Sequence, residues 1–204
     1  MIKILLIFLA FAFIHSITVA GWFKDLSRSL LGDTFMRVWY RFFYTLISIL
    51  TVAAAFLFIA DVPDKALWHA PSWLRWYLHA VQLGALVFGA AAFRHLDGLE
   101  FLGFRQVWRY LSGRVVTGDR EGLRANGLVT SGVYGIVRHP LYLAGIIFFT
   151  FHPNITTNGL AVTVLADLYF IFGAVLEERR FIGAFGDEYR EYMKRVPRLF
   201  PRLA

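Results

Sequence analysis

The sequence predicts an all-α integral membrane protein, a bundle of about five transmembrane helices that ends in a short cytoplasmic amphipathic helix. Hydrophobic residues make up 58% of the 204 positions and charged residues only 17%, and 21 positions are phenylalanine. A small soluble domain leaves much of its surface in water and could not hide this much apolar area. A lipid bilayer removes that conflict, because apolar side chains can face the lipid.

Five apolar segments approach the roughly 20 residues that a helix needs to cross the hydrocarbon core of a bilayer. They cover residues 2–20, 39–60, 73–93, 141–151 and 159–176. The fourth segment is too short to span unless its helix begins near Val133. The first could instead be a cleaved signal peptide that starts with Lys3, although its long apolar run favours a span.

The basic residues alternate between the predicted loops. One Lys lies before the first span, four Lys or Arg between spans one and two, two between spans two and three, seven between spans three and four, none between spans four and five, and seven after Glu178. Because cytoplasmic loops are rich in Lys and Arg, we expect the N-terminus outside and the C-terminus in the cytoplasm. We expect one domain over residues 1–204, with three spans in 1–95, a cytoplasmic loop in 96–140, two spans in 141–178 and a cytoplasmic tail in 179–204.

The composition excludes several kinds of site. The chain has no cysteine, which excludes disulfides, thiolate catalysis and cysteine-based metal centres. Membrane topology accounts for the net charge of +7, and no soluble module remains that would bind nucleic acid. His139 and His152 lack metal-ligand spacing to other ligands, so no metal site is expected. No glycine-rich turn joins a strand to a helix, so a cofactor would have to be held by membrane helices and their ends.

The segment around Arg138 combines features of an anion site. Pro140 suits the first position of a helix, because its missing N–H would have no partner there. The free N–H groups beyond it and the helix dipole favour an anionic group such as a carboxylate, and Arg138 adds a positive charge. Tyr142 and Gly145 share a helix face, where an aromatic ring stands beside a gap open to a ligand. The alternative is an ordinary helix start at the membrane interface, with Arg138 reaching for the headgroups and Tyr142 in the aromatic belt.

Glu177 and Glu178 stand at the predicted cytoplasmic end of the fifth span. Carboxylates near hydrocarbon are costly and usually face a protein interior or a watery cavity. Adjacent helical residues point about 100° apart, so we expect only one of the two to face inward. Its expected partners are Arg138, a ligand cation or ribose hydroxyls. The alternative is a solvated helix end.

The tail predicts one more short helix, with Asp187 as its N-cap and Pro197 as its stop. Phe185, Tyr189 and Tyr192 would then share one face. The alternative interpretation is an amphipathic helix that lies on anionic headgroups, which does not exclude a second role as a lid. Elsewhere, residues 102–108 are too apolar for a solvent-exposed linker, and this segment is a candidate to cover a site. His15 would make a polar contact inside the bundle, and the favoured interpretation is a histidine that packs there with its hydrogen bonds satisfied.

Together these residues resemble the membrane methyltransferase superfamily of isoprenylcysteine carboxyl methyltransferases and phospholipid methyltransferases. That superfamily carries an Arg-His-Pro-x-Tyr-x-Gly pattern, a glutamate pair at the end of the next span, and a Tyr-x-x-Tyr tail that ends in Val-Pro and Pro. The matching residues are Arg138-His139-Pro140-Leu141-Tyr142, Glu177-Glu178, Tyr189, Tyr192, Val196-Pro197 and Pro201. Gly145 departs from the pattern, because it stands one position later than the superfamily glycine.

The N-terminal half resembles a narrower branch, the NnrU-like and methanethiol S-methyltransferase-like proteins. The matching residues are His15-Ser16, Tyr40-Arg41, the run 99–108 that contains Gln106, and Pro153 with the run 156–159. The resemblance implies a bacterial inner-membrane enzyme that uses S-adenosylmethionine and methylates a small thiol or lipophilic acceptor, with S-methyl transfer favoured. Membrane lipids and that acceptor would be its partners.

The resemblance also implies roles for particular residues. It assigns the catalytic role to Arg138 and Arg198 and substrate contacts to His15, Gln106 and Tyr192. It assigns the cofactor to Tyr134, His139, Pro140, Leu141, Tyr142, Glu177, Glu178 and Tyr189. Two other classes remain open. Sterol-type ene reductases share the Arg-His-Pro-x-Tyr pattern and use NADPH, but usually have Asn before the Tyr, where this chain has Leu141. The second open class is a non-catalytic, NnrU-like membrane accessory protein.

The charge alternation generates a direct prediction about topology. A reporter enzyme fused after Ala204 should report the cytoplasmic side in intact cells, because the last span would end there. A fusion in the loop between the fourth and fifth predicted spans is the matched control and should report the outside. A periplasmic signal from the C-terminal fusion would contradict the assignment of the predicted site residues to the cytoplasmic face.

Overall fold

The computed structural model describes residues 1–116 and 127–201, and the regular structure in these ranges is almost entirely helical. Arg120, Arg124 and Arg202, three of the basic residues counted for the topology, lie outside these ranges. The elements in chain order are α1 (Ile2–Val19), α2 (Gly21–Val38), α3 (Tyr40–Ala60), β1 (Ala66–His69), α4 (Ser72–His95), α5 (Gly98–Phe101), α6 (Phe104–Leu111), a 3₁₀ turn (Gly132–Gly135), α7 (Pro140–Thr150), β2 (Asn154–Thr156), α8 (Thr157–Phe185) and α9 (Asp187–Arg195).

Four helices of the described ranges are long and apolar enough to cross a membrane, namely α1, α3, α4 and α8. The prediction of an all-α integral membrane bundle is confirmed. The fourth predicted span differs from the others, because α7 has only 11 residues and is about 17 Å long. Its helix begins at Pro140 and is preceded by a bend and the 3₁₀ turn, so the helix does not extend back to Val133.

Side chains from the neighbouring helices complete the C-terminal end of α7. The last carbonyl groups of a helix have no donor within the helix, and hydrocarbon offers none. Gln82 of α4 donates its Nε2 to the Phe148 carbonyl at 2.9 Å, and Thr163 of α8 donates its hydroxyl to the Phe149 carbonyl at 3.4 Å. The Oε1 of Gln82 lies 3.0 Å from the Nδ1 of His79. These polar residues in otherwise apolar helices therefore satisfy the end of a short helix.

The chain forms two compact units. The N-terminal unit consists of Ile2–Pro63 and Leu96–Ala125 and contains α1, α2, α3, α5 and α6. The C-terminal unit consists of Asp64–His95 and Asn126–Ala204, together with Met1. It contains α4, α7, α8, α9 and both strands, and it carries most of the predicted site residues.

In the N-terminal unit, α1 packs along α3 and His15 lies between them. Its Nδ1 is 3.2 Å from the Ser48 hydroxyl, and its Nε2 is 3.0 Å from the Tyr44 hydroxyl. Both ring nitrogens are therefore satisfied by α3, as expected of a packing histidine.

Helix α2 was not expected, because residues 21–38 were predicted to be a loop between two spans. The five charged residues of α2 exclude it from the apolar segments that predict spans. The helix contains a break at Gly32, where φ is 82° and ψ is 167°. Glycine reaches this left-handed region without the steric penalty that a side chain would bring. The break lets the chain change direction inside what would otherwise be one helix of 18 residues.

Three expectations for the C-terminal unit are wrong in detail. Strands were not expected, yet β1 and β2 pair in an antiparallel manner. Helix α8 continues to Phe185, so Glu177 and Glu178 lie inside the helix and not at its end. Asp187 is the first residue of α9 and not its N-cap, which is Gly186 and offers no side chain. Asp187 instead pairs with Arg190 at 2.7 Å, one turn further along.

The short α7 predicts a stability effect at Gln82. Gln82→Leu keeps a similar volume but leaves the Phe148 carbonyl without its donor, so it should lower the free energy of unfolding by about 1–3 kcal/mol. Leu83→Ala, on an exposed position of the same helix, is the control and should cost less. Thermal unfolding in detergent measures both variants, and equal losses would show that Gln82 does not cap α7.

Candidate functional site

Glu178 is the centre of a cluster of charged side chains, and only 2% of it is exposed. Its Oε1 accepts hydrogen bonds from Nε and Nη2 of Arg138, at 2.7 and 2.5 Å. Its Oε2 accepts from Nε and Nη2 of Arg198, at 2.7 and 2.6 Å. Charge-assisted hydrogen bonds of this kind are about twice as strong as neutral ones. Of the two adjacent glutamates, Glu178 therefore faces inward, as expected, and both carboxylate oxygens are already paired.

Backbone hydrogen bonds hold the tail against the chain that precedes α7. The N–H of Arg138 donates to the carbonyl of Pro197 at 2.9 Å, and the N–H of His139 donates to the carbonyl of Arg198 at 3.1 Å. Pro197 ends α9 and has no N–H of its own, so the chain leaves the helix in an extended form. This extended segment places Arg198 beside Glu178.

The side chain of Arg138 donates hydrogen bonds to the tail in addition to those that it donates to Glu178. Its Nη1 donates to the carbonyl of Met193 at 3.1 Å and to the carbonyl of Val196. These are carbonyls at the C-terminal end of α9, which have no donors within the helix. Arg138 is thus buried and engaged on both sides, and in this arrangement it positions Glu178 and the tail. Its expected catalytic role stays a prediction.

The imidazole of His139 lies between the two carboxylates. Its Nδ1 is 3.3 Å from Glu177 and its Nε2 is 3.5 Å from Glu178, and the ring stacks on Tyr142 with centroids 5.5 Å apart. Burial lowers the pKa of His139, but the two carboxylates outweigh burial and hold that pKa above its ordinary value. The Nε2 atom is buried, and apart from this long contact with Glu178 it makes no ordinary hydrogen bond among the described residues.

Two buried tyrosines of α9 complete the cluster. Tyr192 donates its hydroxyl to the Tyr134 carbonyl at 2.5 Å, whereas the buried Tyr189 hydroxyl has no partner among the described residues. Burial raises the pKa of Tyr192 to about 12 and raises the pKa of the Tyr134 hydroxyl as well. All these phenols therefore keep their protons at neutral pH and can act as donors.

The apolar face of α9 packs on the protein itself. Tyr189, Tyr192 and Val196 form a buried cluster with Phe181 and Phe185 of α8. The shared face of the tail helix is confirmed, but the interpretation of that face as lying on headgroups is wrong, because it is covered by the chain. The helix binds here through ring contacts such as that between Phe181 and Tyr189, whose centroids are 5.3 Å apart.

The gap expected beside Tyr142 is closed. Phe170 of α8 stacks on Tyr142, and a Cβ added at Gly145 would lie 2.7 Å from the Phe170 ring. Gly145 therefore permits close helix packing and does not leave room for a ligand at this point. Pro140 and Leu141 form the first turn of α7 as expected, and Pro140 is fully buried.

The structure brings most of the predicted residues together in the C-terminal unit. They are Tyr134, Arg138, His139, Pro140, Leu141, Tyr142, Glu177, Glu178, Tyr189, Tyr192 and Arg198. His15 and Gln106 belong to the N-terminal unit, where the buried Gln106 donates to the Glu100 carbonyl at 3.0 Å. Their contact with a substrate stays a prediction.

Sequence reasoning missed two contributors to the cluster. The carbonyls of Met193 and Val196 accept hydrogen bonds from Arg138. These contacts could not be predicted, because a backbone acceptor has no side-chain pattern in the sequence. Leu199 was also missed, although it is buried against Ile146 and Ala174 and so fixes the end of the tail. The sequence does contain an indication of this role. Leu199 is an aliphatic residue in a basic tail, and such a residue is expected to bury its side chain against the protein.

The fold and the cluster define an integral membrane protein with a buried charged site at the junction of α7, α8 and the tail. The chain belongs to the NnrU protein family, whose family model matches residues 3–196. Membership confirms the branch that the N-terminal half resembles. No solved structure matches the chain.

Curated relatives carry methyltransferase names. Methanethiol S-methyltransferase 1 of Bradyrhizobium diazoefficiens is 37% identical over 106 residues, which cover 52% of this chain and 35% of that protein. Methanethiol S-methyltransferase 2 of the same organism is 28% identical over 177 residues, 83% of this chain and 65% of that protein. Protein-S-isoprenylcysteine O-methyltransferase of Schizosaccharomyces pombe is 33% identical over 80 residues, 37% of this chain and 34% of that protein. The chain thus spans less than two thirds of the length of each of these relatives.

The geometry predicts different stability effects for the two glutamates. Glu178→Gln leaves Arg138 and Arg198 without the charge that compensates them, and breaking a buried pair in this way costs about 3–5 kcal/mol. Glu177→Gln is the matched control, because its side chain is 26% exposed and pairs with His139 at 3.3 Å without contacting two arginines as Glu178 does, so it should cost about 1 kcal/mol or less. Thermal unfolding in detergent compares them. Equal losses would mean that Glu178 does not hold the tail.

Proposed function

We propose that the protein is an S-adenosylmethionine-dependent membrane methyltransferase that acts on a small thiol or a lipophilic acceptor, with S-methyl transfer favoured. The observation that carries this proposal is a pair of buried polar atoms, His139 Nε2 and the Tyr189 hydroxyl, in the cluster beside the start of α7, neither of which makes an ordinary hydrogen bond to a described residue. Buried polar groups are almost always satisfied, and an unsatisfied pair in one cluster is what a polar ligand would complete. The methyltransferase names of the relatives support the same class.

The residues present suit the groups that S-adenosylmethionine carries. Glu177 is the partly exposed carboxylate of the cluster and would bind the amino group, since Glu178 is already paired with two arginines. The amide N–H groups of Leu141 and Tyr142 lie in the first turn of α7 and, with the helix dipole, would bind the carboxylate. The Tyr189 hydroxyl is free to bind a ribose oxygen or the same carboxylate.

The chain itself supplies orientation and a dry environment. When bound, S-adenosylmethionine supplies an electrophilic methyl group on a sulfonium. Holding two reactants in line is worth up to about 7–11 kcal/mol. The aromatic rings of Tyr142 and Phe170 exclude water beside the start of α7, and an apolar surrounding favours a step in which a positive charge is lost.

Arg198 is the better placed of the two arginines to meet an acceptor. Its side chain is 41% exposed, whereas Arg138 is buried. An acceptor thiol reacts as the thiolate, and a nearby guanidinium lowers the pKa of a thiol. Arg198 would therefore hold the acceptor in its reactive form, and Arg138 would position the site. In the proposed orientation this site lies on the cytoplasmic side of a bacterial inner membrane.

Separate incubations with S-adenosylmethionine and with NADPH test the proposal against its rivals. S-Adenosylmethionine should raise the melting temperature of the purified protein, and NADPH should not. Labelled S-adenosylmethionine with methanethiol and with a lipophilic thiol should then give a labelled thioether. A shift with NADPH would favour the reductase class, and no shift with either compound would favour an accessory protein.

Glu177 gives the sharpest prediction about the cofactor. Glu177→Gln should weaken S-adenosylmethionine binding at least tenfold, which corresponds to about 1.4 kcal/mol, because an amide cannot pair with the amino group as a carboxylate does. Glu188→Gln, an exposed glutamate at the start of α9, is the control and should leave the affinity unchanged. Titration calorimetry in detergent measures both. An unchanged affinity for a folded Glu177→Gln protein would remove Glu177 from the site.

A further inference from the structure

Two helices of the N-terminal unit leave an apolar face that no described residue covers. In α2, Trp22, Leu26 and Leu30 recur every four residues and are between 47% and 73% exposed. Residues four apart lie on one face of a helix. Arg28 lies on the opposite side of the helix and pairs with Asp25, at the edge of the stripe, at 3.4 Å. The first part of α2 is therefore an amphipathic helix whose apolar stripe faces away from the unit.

Helix α6 repeats this arrangement. Phe104, Trp108 and Leu111 share one face and are between 50% and 68% exposed. Its polar side is tied to the unit, since Arg105 pairs with Asp97 at 2.5 Å. The next turn is held in the same way, by Arg109 and Glu100 at 3.6 Å. Because these ion pairs fix the polar side inward, the aromatic side is held outward.

The chain connections place both helices at one membrane surface. Helix α2 begins directly after α1 and ends directly before α3, and both of these are candidate spans whereas α2 is not. Helix α6 lies at the same end of α3. Gly103, with φ of 86°, brings its start so close that a Cβ would lie 2.6 Å from the Cα of Phe42. Trp39 at the junction of α2 and α3 also contacts Tyr110, with ring centroids 6.4 Å apart.

We propose that α2 and α6 form an interfacial surface that binds the boundary between headgroups and acyl chains of the adjacent leaflet. The surface consists of Trp22, Leu26, Leu30, Phe104, Trp108 and Leu111. Amphipathic helices with aromatic residues on the apolar side lie in this layer with that side in the acyl boundary. The stripe is continuous with the ends of α1 and α3, which are candidate spans, and this favours lipid as the occupant. An apolar surface at the end of a span contacts the bilayer directly and needs no second protein to cover it. The N-terminal unit, and not the tail helix, would then supply the helices that rest on the membrane.

The absence of cysteine makes the test simple, because each introduced cysteine is the only one in the 204-residue chain. Leu30→Cys and Trp108→Cys carry a nitroxide label in protein reconstituted into phosphatidylcholine and phosphatidylglycerol vesicles. Arg28→Cys, an exposed position on the opposite side of α2, is the matched control. Electron paramagnetic resonance then compares collision with oxygen, which partitions into lipid, and with a water-soluble nickel chelate.

The labels at positions 30 and 108 should collide at least threefold more with oxygen relative to nickel than the label at position 28. Equal ratios at positions 28 and 30 would overturn the proposal, because the stripe would then be in water. Dipolar broadening that disappears on dilution with unlabelled protein would also overturn it, since a second copy would occupy the surface. Both readouts are independent of methyl transfer, so the result does not depend on the proposed function.

Discussion

The buried carboxylate of Glu178 is the constraint on which the C-terminal unit depends. A charge inside a membrane-spanning helix is costly unless it is paired, and here two arginines supply four N–H contacts to its two oxygens. Arg138 lies 40 positions before it in the chain and Arg198 lies 20 positions after it. Compensating one carboxylate therefore fixes three separate pieces of chain, and the positions of His139 and Glu177 follow from that arrangement.

The short length of α7 has a similar effect, because both of its ends depend on other elements. A helix that spans the bilayer places its terminal backbone groups near the headgroups, where water satisfies them. Gln82 and Thr163 replace water at one end of α7. At the other end, the tail accepts hydrogen bonds from the N–H groups of Arg138 and His139. Side chains and the tail thus replace water at both ends of this half-length helix, and its N-terminal end lies within the protein.

Much of this could be predicted from the sequence, because lipid imposes simple rules on composition. The long apolar runs predicted α1, α3, α4 and α8, and the rarity of carboxylates in such runs pointed to the pair Glu177 and Glu178 without deciding between them. The pairing of Arg138 with the inward glutamate was expected as one of three alternatives. The same rules did not predict α2, since they identify apolar helices that span the bilayer, and α2 is a helix with charged residues that does not span it. They also gave no sign that Phe170 would cover Gly145, because that contact depends on how α7 and α8 pack.

The double attachment of Glu178 has a consequence for biosynthesis. During translation α7 and α8 leave the ribosome before the tail, so Arg138 can neutralise the carboxylate while the helices are being inserted. Arg198 arrives later and can only join an ion pair that already exists. The same two arginines count among the basic residues that would orient the chain in the bilayer as proposed. In that orientation, the side chains that hold Glu178 therefore also contribute to the cytoplasmic excess of positive charge.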